Sequence, residues 1–99
     1  MPTTVVHCGQ TVYDVLADRR SKFGNPFIVG VDGDRDEVCD MHILWLLEWL
    51  QDRKEIWIRG MNNKWVIEHL FLLKDKKIGC HCAPKRCHVD FLAKLTNSF

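Results

Sequence analysis

The stretch from Ile78 to Leu95 limits the fold of this chain more than any other. It is an apolar run that breaks into a cysteine-rich loop and resumes at a helical spacing. Ile78-Gly79-Cys80-His81-Cys82 has strand character, and Pro84 closes a tight loop after it. Cys87, Phe91, Leu92 and Leu95 then recur as one face of a helix expected to begin near Lys85 or Arg86. A strand that feeds a helix N-terminus aims backbone N–H groups and the positive end of the helix dipole at the loop between them, which predicts an anion site. Three of the five cysteines and two of the five histidines fall within residues 80–88, so this loop also concentrates the chain's chemistry.

From the N-terminus, Thr3 to Cys8 is β-branched and reads as a short strand that stops at Gly9. Tyr13 to Ala17 is a second, shorter strand candidate. Asp18 to Gly33 collects Arg19, Arg20, Ser21, Lys22, Gly24, Asn25, Pro26 and Gly30, which predicts a loop. A loop of that length in a small domain is expected to be functional. Asp34 with Glu37 forms a capping-box pattern and opens a helix through Val38, Met41, Trp45, Leu46, Trp49 and Leu50. Leu44 and Leu47 widen its apolar stripe, so this helix is either deeply buried or meets another subunit. Glu55 to Arg59 suits a strand and a helical turn equally. Gly60 to Asn63 is a turn with a capping Asn, and Trp65 to Leu73 is a further helix. Lys74 to Lys77 leads into the strand Lys77 to Cys82.

Strands alternating with helices of this length predict a single α/β domain over residues 1–99. The expected form is a small Rossmann-like sandwich, a short and largely parallel sheet packed by about three helices. Ligands of such sheets lie beyond the carboxyl ends of the strands. Both the Arg19–Phe27 loop and the cysteine-rich loop follow strands, so the two are expected to meet there in a shared cationic cradle.

Bulk properties set the outer limits. With 99 residues there is room for one core. A formal charge of +1 lacks the excess that marks a general nucleic-acid or membrane-surface binder, so neither partner is expected. Met1-Pro2-Thr3-Thr4 has no secretory signal character, and no apolar run reaches membrane-spanning length. The expected compartment is the cytoplasm, where five cysteines act as thiols or metal ligands rather than disulfides.

Three chemistries fit the cysteine-rich loop. Cys80, Cys82, Cys87 and His88 carry ligand types that zinc prefers. Strand alternation turns Cys80 and Cys82 the same way, while Cys87 and His88 diverge by about 100° on a helix. The four converge only if the loop is irregular, and otherwise the cysteines are small buried apolar residues. Cys80 and Arg86 also match the spacing of cysteine-dependent phosphatases, but Pro84 removes an amide from the phosphate cradle and no glycine lies between them. The third chemistry is phosphate or nucleotide binding without turnover. Lys85, Arg86 and His88 would form the phosphate end, with Arg19, Arg20, Ser21, Lys22 and Asn25 as further polar contacts and Gly24 allowing close approach. Phe23 and Phe27 could stack on a base, or simply pack under the loop. His7, His42 and His69 read as packed or surface residues, Asp32, Asp34 and Asp36 as turn and cap residues, and the four tryptophans first of all as core.

The residues that carry these patterns also resemble one family. Arg20-Ser21-Lys22-Phe23-Gly24-Asn25-Pro26-Phe27, Asp32-Gly33 with Arg35, Glu37 and Val38, and Gly79-Cys80-His81-Cys82-Ala83-Pro84 with Cys87-His88, Asp90 and Leu92 are similar to a small domain of unknown function found in phages and bacteria. That family is marked by an S-K-x-G-N-P-F loop and a C-x-C-A-P-x-x-C-H segment, and the resemblance covers nearly the whole chain. Two positions depart from it: His81 stands where an aromatic residue is usual, and Val89 where a glycine often follows the Cys-His pair. The C-terminal half is also similar to another uncharacterised α/β family whose Cys-His pair starts a helix after a strand. The resemblance implies small-ligand binding rather than a zinc finger. Compact phage members resemble, in size and setting, proteins that sequester nucleotide immune signals such as cyclic ADP-ribose derivatives or cyclic dinucleotides. The resulting expectation is a homo-oligomeric, cytoplasmic binder of a phosphate-bearing nucleotide-derived molecule, with no cofactor required. Two alternatives accompany it: a hydrolase or glycosidase on the same ligands using His88, Asp90 or Cys80, and a zinc-stabilised interaction module.

Overall fold

Three short apolar segments pair in parallel to make the sheet. The computed structural model describes residues 2–10, 12–18, 21–81 and 85–98. Within them β1 (Thr4–His7), β2 (Val15–Leu16) and β5 (Lys77–Cys80) lie in the order β1-β5-β2, with β5 central and both neighbours parallel to it. β5 is buried from Ile78 to Cys80, as a central parallel strand must be. The connection from β1 to β2 passes back across this strand: a Cβ on Gly79 would lie 2.7 Å from Tyr13 Cγ. Gly79 is glycine because the Tyr13 ring occupies that space.

The helix α1 (Arg35–Asp52) starts as expected, with the Asp34 and Glu37 side chains each bonded to the other's backbone N–H, and ends at Arg53 in the left-handed region. Its buried face carries Val38, Cys39, His42, Trp45 and Leu46, whereas Leu44 is exposed. The segment that fits a strand or a helical turn on paper resolves as a strand: β3 (Trp57–Ile58) pairs antiparallel with β4 (Met61–Asn62) across a turn at Arg59 and Gly60, both at positive φ. Gly60, at φ 80, takes the conformation that a side chain would oppose. Asn62 then caps α2 (Asn63–Glu68), which gives way at His69 to a 3₁₀ turn, Leu70–Leu73. Buried Asn63 welds these pieces together, accepting from Ile56 N (2.8 Å) and donating to Trp45 O (2.8 Å) and Lys54 O (2.9 Å).

The last helix, α3 (His88–Asn97), begins later than its apolar spacing suggests. Cys87 is the N-cap and the Asp90 carboxylate accepts from Cys87 N at 3.0 Å, so the residues before it stay outside the helix. α3 packs on β1 and β5, and α1 packs on α3 and α2. The core between them includes Leu46, Val66, Leu73, Ile78, Val89 and Leu92. The result is the expected small α/β architecture, a parallel three-stranded sheet with three helices and a separate two-stranded ribbon. No described helix is long and apolar enough to cross a membrane.

One ion pair ties the ribbon to the long loop. Arg59 Nη1 lies 2.7 Å from Asp32 Oδ2 and donates to Pro26 O at 2.9 Å. The Arg59 guanidinium, and then the Ile28 N–H, hold the Asp32 carboxyl below the usual carboxylate range.

Candidate functional site

The loop after β2 and the start of α3 do meet, through an imidazole rather than a cationic cradle. His88 is buried, with Nε2 donating to Phe23 O at 2.9 Å and Nδ1 3.4 Å from Cys87 Sγ. A carbonyl can only accept, so Nε2 carries the proton and Nδ1 takes the thiol hydrogen. Burial pushes the His88 pKa down to about 4, and backbone contacts to Phe23 and Ala17 offset this only in part. The ring is therefore a neutral rivet across the seam at ordinary pH.

The polar residues of the loop are engaged in the same construction. Asn25 Oδ1 accepts from Phe27 N at 2.9 Å, and its Nδ2 donates to Val38 O on α1 at 3.1 Å. Ser21 Oγ accepts from Phe23 N at 3.0 Å, and Gly24 N donates to Ser21 O at 3.0 Å. Lys22 holds its ammonium 5.0 Å above the Trp65 ring, and Phe23 packs on the same ring at 5.2 Å between centroids. Arg86 binds Asp40 at 2.8 Å and Asp36 at 3.1 Å, both on α1, and these carboxylates raise its pKa. Lys85 is exposed. Arg19 and Arg20 lie outside the described residues. The named contacts that do face a common space are thus Asn25 and His88, while Lys22 and Arg86 are each held by other partners.

That space is a cavity of about 600 Å³ at the carboxyl edge of the sheet. Its apolar walls include Phe27, Val29 and Val38, and its polar ones Asp18, Arg35 and His81. Of the two loop phenylalanines, Phe23 is core and Phe27 is the one that walls the cavity, edge-on to Trp45 at 6.5 Å. At the rim the sheet brings together side chains from three strand ends. Cys8 Sγ lies 3.3 Å from His81 Nδ1, and His81 Nε2 lies 3.2 Å from Asp18 Oδ2. Cys8 and Asp18 belong to no motif, yet one signal was available: each lies just past a strand's carboxyl end.

Among the described residues no three His, Cys, Asp or Glu side chains are placed to share a metal ion. Of the zinc set, Cys80 and Cys87 are buried, His88 is committed to Phe23 O, and Cys82 and the loop-closing Pro84 lie outside the described residues. The groups named for turnover are similarly engaged, since Asp90 caps α3 and Cys80 is buried. That cap also places the chain's own carboxylate at the helix N-terminus where an anion was expected. Among the described residues neither nitrogen of buried His42 finds a hydrogen-bond partner, and its ring stands 5.0 Å from that of His88. Burial, and then His88, hold its pKa well below the ordinary histidine range.

Residues 6–98 match a family described as Domain of unknown function (DUF4326). No curated protein and no solved structure matches the chain.

Proposed function

The chain belongs to the DUF4326 family, and from its cavity we propose that it binds a phosphate-bearing, nucleotide-derived small molecule. The observation that carries this reading is a space of about 600 Å³ beyond the carboxyl ends of a parallel sheet. Its size suits a mononucleotide-sized ligand, and such pockets combine apolar walls with a few convergent polar groups. Phe27, Val29 and Val38 offer a surface for a heteroaromatic ring, Asp18 an acceptor for sugar hydroxyls, and Arg35 a fork for phosphate oxygens. Asn25 serves the ligand by fixing the loop, since both ends of its amide already hold backbone.

Sequestration of a nucleotide signal, as by a phage protein facing a host defence, is the form in which such a fold needs no catalysis. Self-association belongs to the same reading, with Leu44 at 63% and Phe71 at 67% exposure as surface to bury. Its test is the mass in solution.

Thermal shift against ADP-ribose, cyclic ADP-ribose, cyclic dinucleotides and plain nucleotides tests the ligand class. A ligand at a hundred times its Kd stabilises the fold by about 2.7 kcal/mol. The expected result is a clear rise with one class, lost in Arg35→Ala and Phe27→Ala. No response to any of them overturns the proposal. Recovery of the ligand intact after denaturation identifies sequestration, and recovery of a product identifies turnover.

A further inference from the structure

We propose that Cys8, His81 and Asp18 form a thiol–imidazole–carboxylate relay that makes Cys8 a nucleophile toward small acyl compounds, esters and thioesters. The sheet itself sets the three side chains side by side. Cys8 N donates to Cys80 O at 3.0 Å and Ala17 N to Gly79 O at 3.0 Å, which carries both pairings one residue past the named strands. Cys8, Asp18 and His81 therefore leave the sheet at one level, from β1, β2 and β5 in turn. Cys8 is itself bonded into the sheet, and Asp18 and His81 each directly follow a bonded residue, which holds their separation better than positions far along a loop would.

The order of contacts is that of a relay. His81 Nε2 lies 3.2 Å from Asp18 Oδ2, which leaves Nδ1 to face the thiol at 3.3 Å. A carboxylate on one nitrogen fixes the tautomer in which the other is the base. The three groups do not surround a common point, because the ring lies between sulfur and carboxylate, so the arrangement is not a metal site. Sulfur is also 3.7 Å from Nε2. A sulfur in line with Nδ1 would stand much farther from the second nitrogen, so the thiol rests against the ring. A rotation about the His81 Cβ–Cγ bond brings the lone pair onto it. The ring has room for this, its side chain being 59% exposed, whereas the Asp18 side chain is 11% exposed and held in place. Cys8 is half-buried, so an electrophile can reach it. Among the described residues His7 also faces the relay, its ring 6.5 Å from that of His81 and its Nδ1 accepting from Gly9 N at 3.0 Å, and Asp18 acts as well on the buried His88.

In the reaction the Cys8 S–H proton passes to His81 Nδ1 as sulfur bonds to the carbonyl carbon. Collapse of the tetrahedral adduct breaks the bond to the leaving oxygen or sulfur, which takes the proton back from the imidazolium. Water then adds to the new thioester carbon, giving a proton to His81, and the C–S bond breaks as sulfur recovers that proton. The sum is one ester and one water converted to one carboxylic acid and one alcohol, or a thiol from a thioester. The inference stands apart from the ligand proposed above, because it can be tested without that ligand.

Two measurements on the full chain test it. Iodoacetamide labelling, followed at Cys8 by peptide mass mapping between pH 6 and 9, reads the reactivity of the thiol toward an electrophile with the ring in place and without it. The expected result is a Cys8 rate near neutral pH at least about tenfold above the same site in His81→Gln and Asp18→Asn, in line with the usual worth of a positioned base. Stoichiometric 4-nitrophenyl acetate should place one acetyl group on Cys8, with subsequent deacylation slowed in both variants and no burst in Cys8→Ala. Equal labelling rates in wild type and His81→Gln, or an acetylation burst that survives Cys8→Ala, overturn the proposal. If Asp18→Asn does not fold, His81→Gln, a change on an exposed ring, carries the comparison alone. Failure here leaves nucleotide binding standing, and a silent thermal-shift screen leaves the relay standing.

Discussion

Two histidines seven residues apart in sequence, His81 and His88, live in opposite conditions. His88 is buried, neutral and bonded at both nitrogens, and it joins the loop after β2 to α3. His81 sits on the rim with a thiol on one side and a carboxylate on the other. The motif residues Asn25, Gly24, Cys87 and His88 belong to the first setting. They look like a binding site on paper because buried polar groups that must satisfy each other are as specific as groups that bind a ligand. Of the rim residues, Cys8 and Asp18 carry no motif, and His81, inside the cysteine-rich segment, presents its side chain to solvent.

Removing the rivet is expected to give the largest effect. His88→Ala leaves a buried cavity and an unpaired Phe23 carbonyl, which together should cost about 3–4 kcal/mol in urea unfolding. A loss under about 1 kcal/mol would show that the seam is held elsewhere. Asn25→Ala should cost about 2 kcal/mol, since two backbone groups lose their partner. The acid limb follows from the buried imidazoles. The unfolded chain takes up protons below the ordinary value of 6.5, while folded His88 does so only near 4. Stability is therefore complete above that ordinary value and falls as pH drops through the window between the two, by about 1.4 kcal/mol per pH unit for each such ring. His42 acts in the same direction. His42→Leu should halve that slope and leave neutral-pH stability unchanged or higher by about 1 kcal/mol, because it removes two unsatisfied nitrogens. The smallest effect belongs to the rim: His81→Gln should shift stability by no more than about 0.5 kcal/mol while changing Cys8 chemistry. A large loss of stability there would erase the contrast between the two histidines.

The architecture was legible where local chemistry and periodicity agree. The Asp34–Glu37 cap and the strand-rich start follow from residues close in sequence, and the parallel sheet from the alternation of strands with helices. The start of α3 was placed too early because apolar spacing cannot see a cap, and the Cys87–Asp90 exchange sets it instead. The β3–β4 ribbon was ambiguous because two-residue strands carry no period. At the site, the meeting of the two loops was legible but their chemistry was not. Which partner a lysine or arginine takes is decided by tertiary neighbours, here Trp65 for Lys22 and the α1 carboxylates for Arg86. The relay was invisible because Cys8 and His81 are 73 residues apart, and only the β1–β5 register makes them neighbours.

The Arg59–Asp32 bridge has an effect beyond the ribbon it anchors. It fastens a turn whose neighbours Phe27 and Val29 wall the cavity, so mobile ions that weaken the bridge also slacken that wall. Added salt should then loosen the grip on any occupant, charged or neutral, and a salt titration would overcount the occupant's phosphates. Repeating the titration with Arg59→Met, whose wall no longer responds to ionic strength, isolates the part that belongs to the ligand.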